Sequence, residues 1–204
     1  MNVFQPLRKS ARYVTIAAVI AVSTAGMSGI AVQADAAAAA AVSKSEDATA
    51  KALALKTLNS FYKPALKGQF PGSVEGLTVG VSTRKDVIEK IGEPEEPAKN
   101  AGGFDVYHAE MGHPGYAIAY NKSGRISEIR YFGTNVERQT NIGGITLSML
   151  KKHWGAPNAT TTIKNGKLVQ KKVVYNRGDY VLSFIFNKDN DLDHINLTKK
   201  PVKK

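Results

Sequence analysis

His108, Glu110 and His113 bring two histidines and a carboxylate within six residues. On an extended strand His108 and Glu110 share a face, because side chains alternate with a period of two. His113 follows Gly112 and precedes Pro114, a turn that can fold it back toward the pair. Two imidazoles and one carboxylate are a sufficient zinc set on paper. The spacing is H-x-E-x2-H, however, and not the helical H-E-x2-H of metalloproteases. The competing reading is a surface strand with two ordinary histidines and a turn. A metal-dependent hydrolase using His108, Glu110 and His113 is therefore the alternative, set against a chain that uses no metal and no cofactor.

Other catalytic chemistries lack their residues. The 204-residue chain contains no cysteine, which removes disulfides, thiolate zinc sites and thiol nucleophiles. No G-x-S-x-G elbow, phosphate-binding loop or dinucleotide glycine fingerprint occurs. Glu110 and Glu128 would form a glycosidase-type pair only if their strands were neighbours. A non-enzymatic role is the favoured expectation.

The elements that must position these residues come from an internal repeat. Gly80-Val-Ser-Thr83 leads through Val87 and Ile91 to Gly92-Glu-Pro94. Sixty-three positions later, Gly143-Gly-Ile-Thr146 leads through Leu150 and Trp154 to Gly155-Ala-Pro157. Thr83 and Thr146 are helix N-caps, and the apolar residues four apart share a helix face. Gly92 and Gly155 suit the left-handed residue that ends a helix, and the prolines block continuation. Each helix is followed by alternating strands: Asp105 to Met111, Tyr116 to Asn121 and Arg125 to Phe132, then Leu168 to Tyr175, Leu182 to Asn187 and Leu192 to Thr198. The expected fold class is α+β, with two tandem repeats, each a helix plus a three-stranded antiparallel sheet, and an extra N-terminal helix. The expected divisions are a signal peptide over 1–34, an alanine-rich spacer over 35–42 and a helix with its loop over 43–79. Repeat 1 follows over 80–132, a connector over 133–142, repeat 2 over 143–198 and a basic tail over 199–204. Ser43-Lys-Ser-Glu46 reads as the capping box of the first helix, with Leu55, Leu58 and Tyr62 on one stripe and Pro64 as its stop.

Two runs carry a resemblance. Asp105-Val-Tyr-His-Ala-Glu-Met-Gly-His-Pro-Gly-Tyr116 and Arg130-Tyr-Phe-Gly-Thr-Asn-Val-Glu-Arg-Gln-Thr-Asn-Ile-Gly-Gly144 resemble the YjgB-like family of secreted proteins from Gram-positive spore formers. The resemblance covers roughly residues 50 to 198, and the family brings no activity to carry over. In plan the repeats are similar to the β-lactamase inhibitor protein, and the helix starts to those of small outer-membrane assembly lipoproteins. Both groups act by binding other proteins, so the resemblance implies an inhibitor of an extracytoplasmic enzyme as a further alternative.

An exposed sheet face is the expected binding surface. Alternation puts Tyr107, Ala109, Met111, Tyr116, Ile118, Tyr120, Ile129 and Tyr131 on the core side. The opposite side then carries Val106, His108, Glu110, Ala117, Ala119, Glu128 and Arg130, and in the second repeat Gln170, Lys172, Val174, Ser183, Ile185, His194 and Asn196. Candidate contact residues are His108, Glu110, Glu128, Arg130, Lys172 and His194, with Arg138 from the polar connector. The ordinary alternative is a plain solvated face, which antiparallel sheets often have.

Arg8, Lys9 and Arg12 precede an uncharged stretch from Tyr13 to Ala34 with small residues at its end. That order is a secretory signal, cleaved after Ala34 or Ala36, and it implies a secreted, extracellular or cell-wall-associated protein without a stable membrane anchor. The formal charge is +11. Arg8, Lys9, Arg12 and the four tail lysines account for most of it, so the remainder is only mildly basic and a nucleic-acid partner is not expected. The expected partner is an extracellular protein or a cell-wall component.

Overall fold

The computed structural model describes residues 31–201, so the expected signal over 1–34 lies almost wholly outside the described residues. Helix α1 spans Ala31–Ser60 and the short α2 spans Tyr62–Ala65. The alanine run expected as a spacer over 35–42 is helical, because alanine has the highest intrinsic helix propensity. Ser43 and Glu46 therefore lie inside α1 and not at its start. Pro64 does not stop that helix: α1 has already ended at Ser60, and Pro64 sits in the first turn of α2, where a proline costs no hydrogen bond.

The folded body begins at residue 41. Helices α3 (Arg84–Ile91) and α4 (Leu147–Trp154) start at Thr83 and Thr146, as the spacing predicts. Thr83 Oγ1 accepts from Asp86 N at 3.3 Å, and Asp86 Oδ2 accepts from Thr83 N at 2.7 Å. Thr146 Oγ1 accepts from Met149 N at 3.0 Å. Gly92 and Gly155 follow the helices with φ of 88° and 78°, a region that β-carbons disfavour.

Seven strands form one antiparallel sheet. They are β1 (Phe104–Tyr107), β2 (Gly115–Tyr120), β3 (Ile126–Gly133), β4 (Ala159–Asn165), β5 (Leu168–Arg177), β6 (Tyr180–Lys188) and β7 (Asp191–Lys199). Their order is β1-β2-β3-β7-β6-β5-β4. Two differences from the expected plan follow. The second half has four strands, since β4 precedes the three expected ones. The strands do not form two sheets either: β3 pairs with β7, Arg130 opposite Asn196, and fuses both halves into one surface.

The helices contribute to a single core on one face of this sheet. Ala54 and Leu58 of α1, Ala65 of α2, Val87 of α3 and Leu150 of α4 join Tyr116, Ile118, Ile129, Phe184, Phe186, Ile195 and Leu197 in one buried cluster. Ala109 and Met111, expected on the core side, are not part of it. Strand β1 ends at Tyr107, the backbone turns through Met111 at φ 48°, and the Met111 side chain is 88 % exposed.

Candidate functional site

The other face of the sheet is made by the alternate residues of every strand. One ladder row runs Val106, Ala117, Arg130, Asn196, Ser183, Val174 and Ala159 across all seven strands. The neighbouring row places Phe104, Ala119, Glu128, Thr198 and Val181 in line. None of these residues belongs to the buried core cluster that holds the helices. Ala117, Ala119, Ser183 and Ile185 are nonetheless buried.

Arg130 is the centre of this face. Its Nε donates to Glu128 Oε1 at 2.7 Å, and its guanidinium carbon sits 4.1 Å from the centroid of the Phe104 ring. Residues two apart on one strand share a face, and Phe104 reaches Arg130 from two strands away. The side chains of Arg130 and Glu128 are 33 % and 22 % exposed, so the pair is held in place and only partly buried. In the same row, Asn196 Oδ1 is shielded and has no hydrogen-bond partner among the described residues.

His194 forms a second cluster on the face. A register shift in the β6–β7 ladder after Ile185–His194 leaves Asp193 without a cross-strand partner. Asp193 Oδ2 lies 2.5 Å from His194 Nδ1, while Asn187 Nδ2 reaches Asp193 Oδ1 at 3.2 Å and Gln170 Nε2 donates to Asn187 Oδ1 at 2.8 Å. The hydrogen bond from His194 holds the Asp193 carboxyl below its usual range, against the opposing effect of burial. The Phe132 ring lies 5.4 Å from the His194 ring. Lys172 stands in the same ladder row, opposite Ile185, which in turn faces His194.

The remaining candidates sit at the end of the sheet. His108 lies past β1, with Nε2 2.9 Å from Glu96 Oε1 and its backbone N–H donating to Glu95 Oε2 at 3.2 Å. It shares a cleft of about 420 Å³ with Phe132, Thr134, Asn135 and Arg138. Arg138 is already engaged, its Nη2 donating to Leu192 O at 2.6 Å with Asp191 Oδ1 3.9 Å away. His108, Glu110 and His113 line a second cleft of about 520 Å³. Among the described residues, however, no three His, Asp or Glu side chains are grouped so as to hold a metal ion. The physical reason is the turn at Met111–Gly112: Glu110 and His113 belong to a loop, and His108 is paired with Glu96.

Phe104, Phe132 and Asp193 are site residues that sequence reasoning missed. Phe132 was accessible, since it continues the alternation Glu128, Arg130 to the end of β3. Asp193 had no such signal, because strict alternation places it on the core side and only the register shift brings it across.

The fold and this face define an α+β protein in which, among the described residues, the helices pack on one side of an antiparallel sheet. A family model described as a domain of unknown function, DUF4309, matches residues 58–198, and the chain belongs to that family. It is 38 % identical over 195 residues to the uncharacterized protein YjgB of Bacillus subtilis strain 168, covering 95 % of this chain and all of that one. The crystal structure of a DUF4309 family protein, YjgB, from the same species superposes with a TM-score of 0.69 at 42 % identity, covering 72 % of this chain and 99 % of that one. The resemblance drawn from the two sequence runs is borne out.

Proposed function

We propose that the chain is an exported, non-enzymatic binding module that engages a protein through the open face of its sheet. The carrying observation is Arg130, pre-ordered by Glu128 on one side and Phe104 on the other, on the sheet face opposite the helix-packed core of the described residues. Arginine and aromatic side chains are enriched at protein interfaces and supply most of their binding energy. An arginine already fixed in position loses less side-chain entropy on binding. Candidate contacts are Arg130, Glu128, Lys172 and His194 on the face, with His108, Glu110 and Arg138 at its end.

We read the two halves, each a helix followed by strands of the shared sheet, as tandem repeats on the plan of the β-lactamase inhibitor protein. The equivalent caps at Thr83 and Thr146 and the glycines at 92 and 155 support that reading. On the same plan an extracytoplasmic enzyme is one form the protein partner would take.

The test compares the chain with an Arg130→Glu variant of unchanged circular dichroism. Each is immobilised and exposed to culture-supernatant proteins, and each is cosedimented with purified wall sacculi. Retention of one protein by the parent chain and its loss in the variant is the expected result. Equal retention by both overturns the reading, and Arg130-dependent sedimentation with sacculi replaces the protein partner by a wall polymer.

A further inference from the structure

The two edges of the sheet are treated differently. Outside β1, which is only four residues long, the loop residue Glu96 pairs with Val106: Glu96 N donates to Val106 O at 3.2 Å and Val106 N to Glu96 O at 2.9 Å. That edge is short and covered, two of the usual ways a protein blocks unwanted strand pairing. The opposite edge, β4, is seven residues long, shows no register shift against β5, and all seven residues are exposed. Among the described residues no strand lies outside it. An edge strand leaves alternate backbone N–H and C=O groups unpaired, so β4 presents a straight row of them.

The sequence of β4 does not guard that row. Ala159-Thr-Thr-Thr-Ile163 is uncharged, contains no proline and has high strand propensity. Lys164 is its only charge. The hairpin that carries it turns tightly at Gly166, φ 58°, and keeps Ile163, Leu168 and Val169 exposed.

We infer that β4 is the interface of a homodimer, in which it pairs antiparallel with β4 of a second copy about a two-fold axis at Thr162. The charge pattern fits a second copy. Centred on Thr162, the pairing sets Thr162 against the partner's Thr162, Ile163 against the partner's Thr161, Lys164 against the partner's Thr160 and Asn165 against the partner's Ala159. All seven residues find a mate, and threonine pairs stabilise an antiparallel ladder. The two Lys164 side chains fall four residues apart, roughly 14 Å along the strands, so no like charges oppose. A strand with a lysine opposite its own symmetry mate would reject a second copy; this one does not. An axis normal to the sheet keeps both open faces on the same side. The dimer therefore offers two copies of the Arg130 face in one plane, which raises apparent affinity for a repetitive or dimeric partner by avidity. The pairing itself does not depend on what that face binds.

The chain lacks cysteine, which makes the test clean. Sedimentation velocity of the purified full chain across a roughly hundredfold concentration range follows a mass-action dimer. The expected result is a monomer–dimer equilibrium that Thr162→Lys shifts to monomer, weakening association at least ~10-fold by setting like charges directly opposite, while Thr162→Ser retains it. Under mild air oxidation, Thr162→Cys should cross-link at least roughly tenfold faster than Val136→Cys, because directly opposed strand residues lie within disulfide reach. Thr162 and Val136 are both exposed, so circular dichroism should be unchanged in all four variants. A chain that stays monomeric throughout overturns the inference and leaves the edge for an extended segment of another protein. A dimer that Thr162→Lys leaves intact, or equal cross-linking by the two cysteine variants, overturns it as well.

Discussion

Arg84 Nε donates to Asp105 Oδ2 at 2.7 Å, tying the first residue of α3 to the edge strand β1. Asp105 is 1 % exposed, and its other oxygen accepts from Ala98 N at 2.9 Å. Arg84→Ala should leave a buried carboxylate half-satisfied. The loss is about 2–3 kcal/mol, below the figure for a fully enclosed pair because Arg84 is partly in water. For a body of this size each kcal/mol corresponds to roughly 2–4 °C in Tm, so calorimetry should read a fall of about 4–12 °C. An unchanged Tm would show that water replaces the guanidinium at no cost.

Alkali should unfold the body between pH 10 and about 12. Burial, followed by the nearby Asp105, pushes the Tyr107 hydroxyl up to about 12, and burial pushes Tyr116 up to about 12. Burial also raises Tyr120, Tyr131 and Tyr175. A folded value above the unfolded 10.0 means that this stability is complete below pH 10 and is lost as pH climbs through the folded value. Tyrosinate absorbance should lag in the native protein and rise in step with loss of circular dichroism, and the lag should vanish in guanidinium. Tyr116→Phe should move the alkaline midpoint upward.

The helices and hairpins were legible because their signals are local. Threonine caps, terminal glycines and alternating apolar residues each report on neighbours a few positions away, and they placed α3, α4 and six of the strands. Strand β4 was invisible for a physical reason: alternation is the imprint of one-sided burial, and Ala159–Asn165 buries neither side. The β3–β7 pairing was equally hidden, since Arg130 and Asn196 meet across sixty-six residues of chain. At the candidate site, Glu128, Arg130, Lys172, His194 and Asn196 were assigned the correct face by parity. His108 and Glu110 were not, because the left-handed turn at Met111 and Gly112 follows a strand that has already ended at Tyr107.

Gly144 is a packing residue whose only local signal is its place in a glycine pair. A β-carbon there would lie 2.0 Å from Gln139 O and 2.7 Å from Ala54 Cβ of α1. The first neighbour is backbone and cannot swing away. Gly144→Ala should therefore cost about 3 kcal/mol, the upper part of the overpacking range. Gly103→Ala, whose nearest neighbour is Asn100 O at 3.1 Å, should cost far less. Urea unfolding followed by circular dichroism checks both, and equal midpoints for the two variants would contradict the close approach at Gly144.

Arg177 anchors the helical layer to the sheet through aromatic faces. Its guanidinium carbon lies 4.2 Å from the Tyr62 ring centroid, 4.8 Å from Trp154 and 5.5 Å from Tyr175. These rings come from α2, α4 and β5, and Trp154 Nε1 donates to Asn59 Oδ1 of α1 at 3.0 Å. Arg177 Nε and Nη2 are shielded and have no hydrogen-bond partner among the described residues, so attraction to the ring faces must offset their lost hydration. A lysine keeps the charge but not the flat surface that stacks on three rings. Arg177→Lys should thus lower stability by about 1–2 kcal/mol with the denaturant m-value unchanged. Trp154 is the sole tryptophan, so its fluorescence reports this cluster directly. Emission should shift to longer wavelength in Arg177→Ala as water reaches the indole face. A spectrum and a midpoint unaltered in both variants would mean that the rings hold one another without the cation.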